Sequence, residues 1–314
     1  MIVGTLVSDR KAYALEQMLE RVALLQPQAV IAVLDGPAPY AAEILSRFQA
    51  DGLEIHVVPA DVPLIENDTP WQSRRVGALR ECLRLAYLEH VTASARGLLW
   101  IDCDVLVPRS AARLTTVPGE WLVSGIVTSR ETTYGKTLVV FGRRQWADKY
   151  LPVAAFGENE RLAATHFACT YTSRDLLESI SWQKCSKWDE GEDGYFCRQA
   201  GDQGIRPLLM PSVRCFHVDE TLFAYGVSDE GQPVCCPPEE FMTGRKQPAA
   251  VYAGPLNRAT VPGIGTFSIG QAIFADHEAY ERAIAHPHFR SEDLGRPLLR
   301  AAVPVSHFDE KEGE

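Results

Sequence analysis

The sequence predicts an α/β fold, and three observations predict it. Short, β-rich apolar runs alternate with stretches of helical spacing over the first 105 residues. The runs are almost continuously apolar, as strands covered on both faces are. Each helical stretch stands between two such runs, which is the order of βαβ units and of a parallel sheet with right-handed crossovers.

Taken in order, IVGTLVS (2–8) is a strand, AYALEQMLERVALL (12–25) a helix and AVIAVLDG (29–36) a strand ending in a turn. YAAEILSRFQA (40–50) is helical, and LEIHVVP (53–59) is a strand. WQSRRVGALRECLRLAYLEHV (71–91) is the longest helix, with Val76, Leu79, Leu83, Ala86 and Tyr87 near one face. GLLWIDCD (97–104) is the next strand. WLVSGIVTS (121–129) and KTLVVFG (136–142) are further strands. SRDLLESI (173–180) opens a helix at an N-capping Ser173. GEDGYFCRQAG (191–201) is a short helix closed by glycine, and 205–219 is extended. Beyond about residue 220 glycine and proline become frequent, with one further helix expected at 275–287. This divides the chain into a main domain at 1–218, a loop-rich extension at 219–304 and an acidic tail at 305–314 expected to be disordered.

A formal net charge of -10 over 314 residues argues against a global footprint for nucleic acid or an anionic membrane. The opening MIVGTLVSDRK carries no basic segment ahead of an apolar stretch, and no window is long and apolar enough to span a bilayer. A cytoplasmic location is therefore expected, with the eight cysteines mostly reduced; none forms a CxxC pair.

Ligands of open α/β sheets bind at the carboxyl ends of the strands. That edge collects Ser8, Asp35, Asp102 and Asp104. Asp102 and Asp104, two residues apart, point to one side if the strand persists, and two such carboxylates suit a hard divalent cation. The alternative is that Asp102 caps a helix suggested by SAARL (110–114) and Asp104 is solvated.

The stretch from Phe167 to Val218 resembles the second half of GT-A-fold glycosyltransferases, in particular family 2. It carries Trp188-Asp189-Glu190, then Glu192-Asp193, then Phe196-Cys197-Arg198, then His217 near the end of a later strand. Upstream, WIDCD lies where the family keeps its DxD. SRRVGALR lies where it keeps an A-R-N-x-G helix start, with Val76 in place of the asparagine. The likeness spans about residues 1–218. It implies a GT-A fold, Rossmann-like with a mostly parallel central sheet flanked by helices. It also implies a metal-dependent, inverting hexosyl transfer from a nucleotide sugar, a UDP-sugar first and a GDP-sugar next.

Residue by residue, the resemblance implies Asp104, Asp102 and His217 at a manganese or magnesium ion. It implies Asp35, Arg74, Arg75, Asp102 and Thr5 at the nucleotide sugar, Asp193 with Glu192 as general base, and Trp182 and Trp188 at the acceptor. Manganese suits an imidazole among oxygen ligands better than magnesium does. The chemistry asks for these groups: a cation to stabilise the leaving diphosphate, and a carboxylate to take the acceptor's proton. Glu192 and Asp193 at a helix start are expected to be held ionised by the helix dipole. Other readings stand beside these. Asp35 before Gly36 suits an ordinary turn, and Trp182 and Trp188 suit core anchors. Arg74, Arg75, Arg80 and Arg84 suit a solvated helix face, Arg80 and Arg84 above all. The acceptor is open: a glycan, a protein, a metabolite or a hydroxymethylated nucleobase in DNA. A nucleotidyltransferase and a non-catalytic nucleotide- or glycan-binding module are the rivals.

Overall fold

The structure, a computed structural model, describes residues 1–62, 73–92, 94–127, 160–184 and 191–218. It also describes the short strand segments 139–140, 150–151, 224–227, 233–236, 248–252, 258–261, 265–268, 272–273 and 289–293. The helix expected at 275–287 and the acidic tail lie outside the described residues, as does Trp188.

The alternation expected at the start of the chain is found. β1 (Ile2–Val7) leads through a 3-10 helix (Asp9–Ala14) into α1 (Leu15–Ala23). Then come β2 (Ala29–Asp35), α2 (Pro39–Ala50), β3 (Ile55–Ala60), α3 (Ser73–His90) and β4 (Gly97–Ile101). After a two-residue β5 (Val105–Leu106) and a 3-10 helix (Arg109–Thr116) follow β6 (Leu122–Val127), β7 (Val139–Val140), β8 (Tyr150–Leu151) and β9 (Glu160–Arg161). β10 (Cys169–Ser173), α4 (Arg174–Ser179), α5 (Gly191–Asp202), β11 (Leu208–Val218), β12 (Ala224–Val227) and β13 (Pro233–Cys236) complete the main body.

The central sheet runs β13-β12-β11-β6-β10-β4-β1-β2-β3. β1, β2, β3 and β4 pair in parallel, and β6 pairs in parallel with β11. β10 enters antiparallel between β4 and β6, and β5, β9 and β12 pair antiparallel with β11, so a mostly parallel centre is interrupted at β10 and edged by reversed strands. β12 and β13 extend the same sheet beyond Val218, so the stretch expected as a separate extension begins as two more strands of it.

The strands are apolar throughout because both faces are covered. On β4, Leu99 and Ile101 face the core of α1 and α2, while Leu98 and Trp100 face the core of α3, α4 and α5. Val30 and Ala32 alternate in the same way with Ile31 and Val33 on β2. α1 buries Leu15, Met18, Leu19 and Val22 at helical spacing. α2 starts with Pro39 in its first turn and is capped from outside, its Ala41 N–H donating to the Asp9 carboxylate at 2.9 Å. α4 opens as expected, with Ser173 Oγ accepting from the Leu176 N–H. The glycine that follows α5 is Gly204, in the left-handed region at φ 78°, while Gly201 lies inside the helix.

Arg80 and Arg84 do not form a solvated face. They are 3% and 8% exposed, side by side with the buried Leu79, Leu83 and Tyr87. The helix suggested by SAARL follows Pro108 and is not capped by Asp102. Among the described residues no helix is long and apolar enough to cross a membrane. Cys82, Cys103, Cys169, Cys197 and Cys215 are free thiols.

Candidate active site

β4 ends at Ile101, and the chain turns at once, Val105 N–H donating to the Asp102 carbonyl at 3.0 Å. The extended geometry that would have aimed both aspartates at one spot is therefore lost, and each finds different partners.

Asp104 is completely buried, and its Oδ2 lies 3.1 Å from His217 Nε2 and 3.0 Å from Lys11 Nζ. The sheet brings these distant residues together. β5 pairs antiparallel with β11, placing Val105 opposite His217, and the Val218 N–H donates to the Asp104 carbonyl at 2.8 Å. Lys11 arrives on the 3-10 helix that follows β1. Burial pulls the Lys11 ammonium down, but Asp104 and Asp102 outweigh it and hold it above its ordinary range. Cys103, buried between the aspartates, has its thiol pushed up to about 12, chiefly by burial, and stays protonated.

Asp102 turns to Arg80. The Arg80 guanidinium lies 3.6 Å from Asp102 Oδ1, 3.5 Å from Asp193 Oδ1 and 3.7 Å from Glu192 Oε1. It rests on an aromatic floor, 5.3 Å from the ring centre of Phe167 and 5.7 Å from that of Trp100. α3 carries the arginine and α5 the acid pair, so packing of these two helices builds the cluster. Gly191, at φ 65°, supplies the turn into α5.

Glu192 corrects the expectation of an ionised helix-start pair. Burial first, then the charge of Asp193, push its carboxyl up to about 8, against the opposing pull of Arg80. The helix dipole does not offset desolvation here. Glu192 is thus biased toward its protonated form, while its neighbour Asp193 keeps a 29% exposed side chain.

This shift makes a stability prediction. Folded Glu192 binds its proton up to about pH 8, and the unfolded chain releases it near the ordinary value of 4.5. Folded protein therefore holds the extra proton between those limits, and stability falls as pH rises through that window. His166 acts in the opposite sense lower down, because burial lowers it from 6.5 to about 3, so its contribution is complete above about pH 6.5. Between pH 6.5 and 8 the melting temperature of Glu192→Gln is expected to stay flatter than that of the parent. Parallel curves would show that Glu192 ionises normally.

Asp35 and Arg75 are paired with each other at the end of β2. The Arg75 Nη2 donates to Asp35 Oδ1, Nε to Oδ2 at 3.3 Å, and Nη1 to the Val62 carbonyl at 2.6 Å. Arg74 is half-buried one residue earlier. Thr5 lies in the middle of β1, 1% exposed, and does not reach the strand ends where a nucleotide would lie. Trp182 is likewise no acceptor platform. It is 2% exposed and stacks on Phe196 at 4.4 Å within a cluster that includes Trp100 and Phe167. Its backbone N–H donates to Glu81 at 2.9 Å, and its indole N–H donates to the Glu192 carbonyl at 3.1 Å. Glu81 also accepts from Arg84 at 2.7 Å and from Ser181 at 2.9 Å. A buried ion pair on α3 therefore fixes the indole that steadies the start of α5.

Four groups at the site escaped the sequence: Lys11, Arg80, Glu81 and His166. His166 is neutral, accepts the Ala168 N–H on Nδ1 at 3.2 Å, and feels the charges of Asp102, Arg80 and His217. No local pattern marks Lys11 or His166. Arg80 and Arg84 did carry a signal, since they flank the Leu79–Leu83 stripe on the same helix.

Four acidic side chains (Asp102, Asp104, Glu192 and Asp193) thus face two cations, Lys11 and Arg80. Among the described residues no three His, Cys, Asp or Glu side chains gather at one point. Asp104 and His217 do converge, a carboxylate oxygen and an imidazole nitrogen 3.1 Å apart, which fits a divalent cation that takes its other ligands from phosphate and water.

No protein-family model matches the chain, and no curated protein matches its sequence. Many solved structures show a likeness in shape. The mannosyltransferase PcManGT from Pyrobaculum calidifontis, in complex with GDP-Man and Mn2+, is 15% identical with a TM-score of 0.43. The match covers 67% of this chain and 54% of that one, so this chain matches about half the mannosyltransferase's length. HddC from Yersinia pseudotuberculosis is 11% identical over 77% of this chain and 96% of that one, with a TM-score of 0.38. The galactosyltransferase LgtC, in complex with donor and acceptor sugar analogs, is 15% identical over 67% of this chain and 73% of that one, with a TM-score of 0.40. At these values the likeness carries no argument of its own. The mostly parallel, helix-flanked sheet described above is the α/β arrangement expected from the sequence.

Proposed function

We propose that this chain transfers a sugar from a nucleoside diphosphate sugar, a UDP-sugar first and a GDP-sugar next, to a hydroxyl acceptor with inversion. The observation that carries the reading is the two-part acid cluster at the carboxyl end of the sheet. Asp104 with His217 forms one part; Asp102, Glu192 and Asp193 around Arg80 form the other.

Asp104 and His217 would hold a manganese or magnesium ion, and such an ion, when bound, stabilises the charge of the leaving diphosphate. Asp35 at the end of β2 and Arg75 on α3 would meet the nucleoside, the guanidinium giving up part of its contact with Asp35 to the base or ribose. Asp193 takes the proton of the acceptor hydroxyl as it attacks. The protonated Glu192 beside it does not compete for that proton. A single base on the face opposite the leaving group gives one displacement, hence inversion. Asp102 is held against Arg80 in the second part.

Calorimetric titration of UDP, GDP, CDP and ADP, each with manganese and with chelator, tests the reading. One diphosphate is expected to bind in a metal-dependent way, and Asp104→Ala is expected to lose that dependence while staying folded. Full affinity in chelator would place the diphosphate elsewhere.

A further inference from the structure

We propose that Lys11 is a tethered counter-ion that competes with the divalent cation for Asp104, so that metal binds well only together with a diphosphate. This rests on the reading above, in which Asp104 and His217 hold the metal.

The geometry sets up the competition. His217 Nε2 and Lys11 Nζ address the same carboxylate oxygen, Oδ2 of Asp104, at 3.1 and 3.0 Å. A cation that uses both the imidazole nitrogen and this carboxylate settles on the oxygen that the ammonium already holds. Two cations a few ångströms apart at a buried carboxylate repel strongly. One of them must give way. Asp104 has no room to do so, being completely buried, and His217 is fixed by the pairing of β11 with β5. Lys11 can: its side chain is 41% exposed, and it stands on a short 3-10 helix at the rim of the sheet.

A displaced ammonium needs a new anion. Asp102 and its neighbours are already gathered around Arg80. The anion that arrives with the metal is the diphosphate, and the freed Lys11 lies at the end of β1, on the edge where such a ligand sits. Linkage then works in both directions. A diphosphate that takes the ammonium releases Asp104 to the metal, and a metal that displaces the ammonium offers it to the diphosphate. Lys11 also neutralises Asp104 while the site waits for its ligands, which lowers the cost of a buried carboxylate.

The test is manganese titration of the full chain followed by the electron paramagnetic resonance signal of free Mn2+. The parent is compared with Lys11→Met, each without a ligand, with saturating UDP or GDP, and with inorganic pyrophosphate. The parent is expected to bind Mn2+ weakly alone and about tenfold or more tightly with the nucleotide, a typical coupling. Lys11→Met is expected to bind Mn2+ alone about tenfold more tightly than the parent and to gain correspondingly less from the nucleotide, keeping only the part of the coupling that phosphate ligation of the metal supplies. Coupling by pyrophosphate as strong as by nucleotide would assign the effect to the diphosphate itself; coupling by nucleotide alone would overturn the role given to it. Equal or weaker Mn2+ binding by Lys11→Met alone would overturn the competition and leave the proposed metal site standing. No Mn2+ binding by either protein under any condition would sink the metal site and this inference together. Lys11→Gln serves for the same comparison if Lys11→Met does not fold.

Discussion

Replacing Arg80 with methionine is expected to lower stability by about 3 kcal/mol, the lower end for breaking a buried charge pair from one side. The lower end applies because Asp102 and Asp193 keep 26% and 29% of their side-chain surface exposed. Methionine fills much of the volume over Phe167 and Trp100, so lost packing is a minor part of the effect. What is lost is the guanidinium placed among Asp102, Glu192 and Asp193. For a chain of 314 residues such a loss corresponds to a fall in melting temperature of roughly 4–5 °C. The fall has a pH signature. Arg80 is one of the influences that oppose protonation of Glu192, so its removal favours the neutral acid. As pH drops and the remaining carboxylates of the cluster take up protons, their mutual repulsion fades and the variant approaches the parent. A pure cavity effect would leave the difference constant with pH. Thermal melts of both proteins from pH 4 to 8 separate the two. A difference that does not shrink on acidification would mean that the arginine is there for packing.

The same arginine shows why part of this molecule was legible in its sequence and part was not. The strand and helix order up to β4 follows from local periodicity, and Ser173 from a local capping preference, so both appear where expected. Partnerships between charged groups are not local. His217 meets Asp104 across 113 positions of sequence, and no spacing rule links them. Arg80 and Arg84 at i and i+4 match the pattern of a solvated helix face, yet Arg84 finds Glu81 and the Leu177 carbonyl, and Arg80 finds the acid cluster. Once partnered, an arginine is tolerated in an interior from which its composition alone would bar it. The expected orientation of the DxD motif failed in a related way. Its two carboxylates share a face only in an extended strand, and the turn at Asp102 is closed by a backbone hydrogen bond from Val105 to the Asp102 carbonyl, which no side-chain pattern marks. The indole of Trp182 was ambiguous between core and acceptor surface because aromatic residues serve both. The neighbouring Phe167, Phe196 and Trp100 decide for the core.

Asp193→Asn is expected to reduce turnover by roughly 10²- to 10⁴-fold, the usual contribution of a general base, with metal-dependent nucleotide binding unchanged. The substitution keeps shape and removes only the ability to accept a proton. It also removes one negative charge from beside Glu192, whose carboxyl is held up partly by that charge. Glu192 in the variant should therefore ionise at lower pH than in the parent. This gives the experiment a second readout. If Glu192 substitutes for the missing base, residual turnover will rise with pH as Glu192 loses its proton, and Glu192→Gln in the same chain will abolish that rise. If turnover in Asp193→Asn is low at every pH, proton removal depends on the position of Asp193 as well as on the presence of a carboxylate. Near-parent turnover in the single variant would remove Asp193 from the reaction and point to another group at the same edge. Because α5 presents both carboxylates within one turn of its start, and the Trp182 indole holds the Glu192 carbonyl at 3.1 Å, the backbone that carries them should not move in either variant. The kinetic differences then report the chemistry of the two carboxylates rather than a shift of the helix.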